Sequence, residues 1–187
     1  VSKQSASQNE AIFLVGMMGT GKTTVGALLA ARLERPFIDT DEAVERAAGR
    51  SIPEIFEREG EAAFRRRERE AIQGAAGAGA VVALGGGAMA QPGMSEWLTA
   101  HGHAVWLRAD AETILARVGD AEERPLLAGL DPEARRARIE SLLAERASAY
   151  ANAQLTVDAA PPPDAVASEI ARALGLEPDL EGGGAAL

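Results

Sequence analysis

The stretch Gly16-Met17-Met18-Gly19-Thr20-Gly21-Lys22-Thr23 decides how this chain is read. It fits the pattern GxxxxGK[ST] and lies between an apolar run and a helical pattern. Ala11 to Val15 is strand-like, and from Thr24 to Leu33 the apolar positions Val25, Leu28, Leu29 and Leu33 recur at helical spacing. A turn with those flanks brings consecutive N–H groups to a helix N-terminus. Gly16, Gly19 and Gly21 permit the backbone conformations that let those groups converge on a phosphate chain. Lys22 is expected between the β- and γ-phosphates, and Thr23 is expected to offer its hydroxyl to Mg²⁺. Lys3 is the only other lysine, and the chain otherwise uses arginine for permanent positive charge. Retention of a lysine at this one position suggests a need for it.

Composition narrows the rest. A length of 187 residues suits one domain with a real core, and 47% apolar and 25% charged residues are the proportions of an ordinary globule. No apolar stretch approaches a membrane span, Val1 to Glu10 has no apolar signal core, and there is no cysteine for disulfides or thiolate metal sites. A cytoplasmic protein is expected. The net charge of −9 argues against nucleic acid or an anionic membrane as partner. Yet Arg65, Arg66, Arg67 and Arg69 cluster, as do Arg135, Arg136 and Arg138, while Arg117, Arg124 and Arg146 stand apart. Local basic pockets in an acidic protein suit small anions, although for any single arginine taken alone a solvated helix face is the better reading.

Apolar runs at Ile12 to Val15, Phe37 to Ile38, Val81 to Leu84, Ala104 to Leu107 and Leu155 to Val157 alternate with helical patterns, which indicates a parallel sheet wrapped by helices. Between the second and third runs lie helical stretches Glu42 to Ala48, Ile52 to Glu59 and Glu61 to Ala76, more than one crossover requires. The excess, residues 40–76, is a candidate substrate-binding insertion. Gly119 to Gly129 is charged, glycine-bounded and without helical period, so residues 119–130 read as a mobile lid on the ligand face. Helical pattern resumes from Ala134 to Ala151 and from Asp164 to Leu174. The core spans about 11–175, and the tail 177–187 is expected to be disordered.

Many phosphate-binding-loop proteins end their third strand with a metal-binding aspartate. Here Val81 to Leu84 runs instead into Gly85-Gly86-Gly87, and the acids lie at Asp39-Thr40-Asp41, the carboxyl end of the second strand. Strand alternation points Asp39 and Asp41 to one side, the nearer to metal and the farther to substrate. Capping of the following helix is the competing use of these residues. The three glycines let a ligand lie on bare backbone, or simply make a flexible connection.

Taken in order, the loop, Asp39-Thr40-Asp41, Phe56 through Gly60-Glu61 to Phe64-Arg65, Leu84-Gly85-Gly86-Gly87, Arg124-Pro125-Leu126-Leu127 and Glu145-Arg146 through Tyr150 closely resemble the shikimate kinase family. The resemblance covers roughly Ile12 to Leu174. It implies an α/β, three-layer P-loop kinase fold with a five-stranded parallel sheet in the order 2-3-1-4-5. The implied activity is transfer of the γ-phosphoryl group of MgATP to the 3-hydroxyl of shikimate. Carried over by position, Asp41, Arg65, Gly86 and Arg146 bind shikimate, with Glu68 on the same helix face as Arg65 to orient it. Gly19, Thr20, Gly21, Lys22, Thr23, Thr24, Arg117 and Arg124 bind nucleotide. Thr23 and Asp39 hold Mg²⁺, and Lys22, Asp41 and Arg124 are catalytic. Phe56 and Phe64 line the apolar side of the pocket, or serve as core. A monomer is expected. The chain departs from the pattern in the acidic approach Asp120, Glu122 and Glu123 to Arg124, and in Asp158-Ala159-Ala160-Pro161, which lacks a basic residue near the adenine. A gluconate, adenylylsulfate or nucleoside monophosphate kinase would share loop and lid but not the paired arginines with aspartate and triple glycine. A nucleotide-dependent switch would show an NKxD element, which is absent.

Overall fold

The computed structural model describes residues 10–118 and 126–176. Five parallel strands, β1 (Ala11–Val15), β2 (Phe37–Asp39), β3 (Val81–Ala83), β4 (Gly102–Arg108) and β5 (Leu155–Asp158), lie in the spatial order β2-β3-β1-β4-β5. Seven helices are described: α1 (Lys22–Arg32), α2 (Thr40–Ala48), α3 (Ile52–Ala76), α4 (Met94–His101), α5 (Ala111–Val118), α6 (Pro132–Tyr150) and α7 (Pro163–Ala173). The order 2-3-1-4-5 is the one expected.

Strand alternation builds the three layers. Ile12 and Leu14 of β1 join Val25 and Leu29 of α1 and Val166 and Ile170 of α7 in one core, while Ala11, Phe13 and Val15 face Ile72 of α3, Met94 and Leu98 of α4 and Tyr150 of α6 in the other. The central strand, buried on both faces, is therefore apolar at every position.

The connection from β2 to β3 carries the extra helices. Asp39 caps α2 by accepting the Asp41 N–H at 3.0 Å, and α3 opens with a capping box in which Ser51 and Glu54 satisfy each other's backbone N–H. The expected break between Glu59 and Glu61 is a kink: Gly60 leaves helical geometry at φ 80° and ψ 172°. Glu59 braces the bend through Arg50 at 3.1 Å and Arg67 at 2.8 Å.

One expectation requires correction. β2 ends at Asp39, so Asp41 sits in the first turn of α2 and strand alternation does not place it. The cap turns the chain sharply, burying Thr40, whose hydroxyl donates to the Ala83 carbonyl at 3.2 Å. Of the expected lid, Leu127 is fully buried against Met17, Ile114, Val118, Ile139 and Leu142. Residues 119–125, including Arg124 and the acidic residues before it, lie outside the described residues, as does the expected disordered tail 177–187.

Candidate active site

The phosphate loop after β1, Asp39-Thr40-Asp41 after β2 and the three glycines after β3 all leave the sheet at the carboxyl ends of their strands, where ligands bind in open parallel sheets. Behind β1 the loop turns through positive φ at Gly16, Gly19 and Gly21, and α1 begins at Lys22, so the loop's N–H groups gather at the N-terminus of an eleven-residue helix. α5 packs directly against this loop, and a Cβ at Gly19 would come 2.9 Å from Val118. Lys22 Nζ donates to the carbonyls of Gly16 and Met17 at 2.9 Å each, folded over the cradle. Thr20 is buried, its hydroxyl donating to the Met17 carbonyl at 2.8 Å, which leaves its backbone rather than its side chain for a phosphate.

Thr23 and Asp39 meet as expected. The Thr23 hydroxyl donates to Asp39 Oδ2 at 2.8 Å in an exposed position beside the cradle. Among the described residues no cluster of three or more acidic or histidine side chains could hold a metal ion by itself. A hydroxyl and one carboxylate nevertheless fit Mg²⁺, which retains waters and takes few protein ligands when phosphates complete its shell.

The second half of the site is organised around the three glycines. A Cβ at Gly85 would collide with Glu68 Oε1 and lie 2.8 Å from Asp41 Oδ1; one at Gly86 would lie 3.1 Å from Arg146 Nη1; one at Gly87 would lie 3.1 Å from Arg65 Nη2. Each glycine thus leaves room for charged side chains: Glu68 of α3 and Asp41 of α2 at Gly85, Arg146 of α6 at Gly86 and Arg65 of α3 at Gly87. Arg65 donates to Glu68 Oε2 at 2.8 Å and to Glu61 at 3.1 Å, and its guanidinium lies 5.1 Å above the centre of the Phe64 ring. Phe64 is buried with Val44 and Ile55, while Phe56 is 38% exposed with its ring 4.9 Å from that of Phe64. Arg146 donates to the Gly86 carbonyl at 3.0 Å and approaches Met17 Sδ at 3.6 Å, joining the glycines to the phosphate loop.

Burial raises Asp41 from 3.8 to about 6, reinforced by the negative charges of Asp39 and Glu68 and opposed by Lys22. Burial also pushes Glu68 up, against the hydrogen bond and charge of Arg65, a hydrogen bond from Gln91 and the charge of Arg146. The pocket therefore holds two carboxylates and two guanidiniums in low dielectric, a balance that a small anion with hydroxyl groups could enter.

Two residues in this network were assigned no role by sequence reasoning. Tyr150, one helical turn after Arg146, is buried and donates its hydroxyl to the same Gly86 carbonyl at 2.5 Å; the i to i+4 spacing on α6 was the available signal. Gln91 donates to Glu68 Oε2 at 2.7 Å, and nothing in the local pattern announced it. Arg117, expected near the adenine, donates to the Ala160 carbonyl at 3.0 Å. It thereby brings a positive charge to the loop after β5 that lacks one of its own. Thr24 is exposed on the first turn of α1.

A family model described as shikimate kinase matches residues 18–175. A shikimate kinase of Symbiobacterium thermophilum is 49% identical over 145 residues, covering 76% of this chain and 82% of that protein. One from Gloeobacter violaceus is 48% identical over 165 residues, covering 87% and 91%. Among solved structures, the shikimate kinase of Acinetobacter baumannii in complex with shikimate superposes with a TM-score of 0.80 at 37% identity, covering 87% of this chain and 91% of that one.

Proposed function

The chain belongs to the shikimate kinase family, and from that premise we propose how its own residues divide the work of an ATP-dependent kinase acting on shikimate. The observation that carries the reading is the convergence of Asp41, Arg65 and Arg146 on Gly85 to Gly87, within contact of the phosphate loop.

Arg65 and Arg146 clamp the shikimate carboxylate, at least one of them bidentately. Asp41, with a pKa of about 6, is ionised at neutral pH and accepts hydrogen bonds from ring hydroxyls. The Gly86 N–H adds a donor. Phe56 and Phe64 cover the apolar side of the ring. On the other side, the N–H groups of Gly19 to Thr24 cradle the phosphates of ATP, and Arg117 lies against the adenine. Thr23 and Asp39 would hold Mg²⁺, which would supply positive charge against the phosphates.

In the reaction, the 3-hydroxyl oxygen of shikimate forms a bond to the γ-phosphorus as the bond to the β,γ-bridging oxygen breaks. ADP leaves with that electron pair, and the hydroxyl proton passes to Asp41 or solvent. The transition state is loose and needs position and charge neutralisation more than early deprotonation, so Asp41 acts first as an orienting acceptor. Lys22 leaves the Gly16 and Met17 carbonyls for the phosphate oxygens, and Arg124 reaches the transferring group from the lid. Residues 40–76 form the substrate-binding segment, and closure of the lid excludes water and suppresses ATP hydrolysis. Among the described residues no helix is long and apolar enough to cross a membrane. All residues assigned a role come from one chain, so the reading needs no second copy.

A coupled ADP assay with a panel of acceptors tests this. ADP release should require shikimate and follow formation of shikimate 3-phosphate one to one. Equal turnover with gluconate or adenylylsulfate, or ADP release indifferent to shikimate, would contradict it.

A further inference from the structure

We infer that Gln91 is a positioning residue for shikimate binding, acting through Glu68 on Arg65. The inference rests on the reading of Arg65 as a carboxylate clamp and adds a residue to which that reading gives no part.

Glu68 is fully buried, and a carboxylate in that position stays charged only where partners replace its lost water. Both of its hydrogen bonds fall on one oxygen: Oε2 accepts from Arg65 Nη1 at 2.8 Å and from Gln91 Nε2 at 2.7 Å. Oε1 has no hydrogen-bond partner among the described residues and faces Gly85 beside Asp41. The charged groups around this carboxylate are Arg65 on its own helix, Arg146 from α6 and Asp41 from α2. Among the described residues Gln91 is the one neutral donor to it, and it comes from the chain that follows the three glycines.

Neutrality matters here. A second cation in place of Gln91 would compete with Arg65 for Glu68 and add its own field at the shikimate carboxylate, whereas an amide fixes the Glu68 plane without altering the charge of the pocket. The backbone of Gln91 is held at both ends, its N–H donating to Ala88 at 3.1 Å and its carbonyl accepting from Met94 at 3.1 Å. The amide is thus delivered from a fixed point. Without it, Arg65 is the sole hydrogen-bond donor among the described residues to a buried carboxylate. Glu68 then takes up a proton more readily, and the guanidinium loses its inner anchor, leaving Glu61, which is 65% exposed, as its remaining carboxylate.

The experiment is calorimetric titration of shikimate into the full chain and into Gln91→Leu, Gln91→Glu, Glu68→Gln and the Gln91→Leu/Glu68→Gln double variant, between about pH 5.5 and 8.5. Melting temperature and ATP binding are measured alongside. Gln91→Leu should weaken shikimate binding on the order of tenfold, the scale of a lost hydrogen bond to a charged group, with ATP binding within about twofold. The acid limb of its binding profile should move to higher pH, and its effect should vanish in the Glu68→Gln background. Gln91→Glu should bind worst at the alkaline end and recover as the pH falls, because the two carboxylates then share a proton. An unshifted profile in Gln91→Leu, or an equal loss in the Glu68→Gln background, would overturn the inference while leaving the clamp intact. Wild-type shikimate binding by Glu68→Gln would likewise overturn the inference with the clamp intact, whereas wild-type binding by Arg65→Ala would remove the clamp reading and this inference with it.

Discussion

The two halves of this site are built in opposite ways. The proposed nucleotide half is centred on one contiguous segment, Gly16 to Thr24, which offers backbone N–H groups fixed by local geometry and by the start of α1, with Asp39 and Arg117 brought in from elsewhere. The acceptor half draws Asp41 from α2, Arg65 and Glu68 from α3, Gly85 to Gly87 from beyond β3, and Arg146 and Tyr150 from α6. A backbone cradle is insensitive to what surrounds it, because spacing alone creates it. A pocket of charged side chains exists only once tertiary packing has brought them together, and each charge then depends on its neighbours. Damage to the first half should remove chemistry while sparing the acceptor; damage to the second should remove the acceptor while sparing ATP.

The largest effect sharpens that contrast. Lys22→Ala should lower kcat by about 10² or more, the scale for removal of a preorganised charge stabiliser, with shikimate affinity close to wild type by calorimetry. Arg65→Ala is the converse, expected to raise the KM for shikimate by about 10- to 100-fold as a charge-assisted pair is lost. Its ATP affinity should stay nearly unchanged, and parallel loss of both affinities would break the division between the halves.

Smaller, and confined to the acceptor half, is a dependence on pH. Because Asp41 is raised from 3.8 to about 6, kcat/KM for shikimate should fall about tenfold per pH unit below that value. Folding responds in the opposite sense. The folded protein binds the Asp41 proton more tightly than the unfolded chain does, so the stability this confers is full below pH 3.8 and lost as the pH rises through about 6. Asp41→Asn should therefore raise the melting temperature at pH 7 and remove the part of the acid limb due to Asp41, leaving the part due to Glu68, at the expense of shikimate binding.

The least effect belongs at the far end of α1, away from both halves. Glu34 follows the helix at φ 54°, the left-handed conformation that glycine adopts without strain. Glu34→Gly should stabilise the fold by about 0.5–1 kcal/mol in denaturant titration and leave kinetics unchanged.

The same division explains what could be read from the chain alone. Strand positions, the phosphate loop and the Gly60 break were legible because each is a local pattern of spacing, burial period or backbone freedom. The meeting of Thr23 with Asp39 was legible only through the family resemblance, since β3 lies between β1 and β2 and no local pattern joins the two residues. Asp41 was assigned to the right neighbourhood by the wrong geometry: alternation along β2 was invoked where a helix cap turns the chain. Capping leaves the second use open, since Asp39 caps α2 through Oδ1 while its Oδ2 accepts from Thr23. The bond from Gln91 to Glu68 was not legible, because it joins residues 23 apart through a turn whose direction depends on packing. Nor did the glycines disclose that each makes room for a different charged side chain, since that space is defined only by the arriving partners.

The most direct test is a crystal structure of the full chain grown with shikimate and ADP. The shikimate carboxylate should lie within about 2.7–3.2 Å of nitrogens from both Arg65 and Arg146, with a ring hydroxyl on Asp41 and the 3-hydroxyl facing the phosphate loop. Shikimate bound elsewhere, or Asp41, Arg65 and Arg146 turned away from one common cavity, would contradict the account.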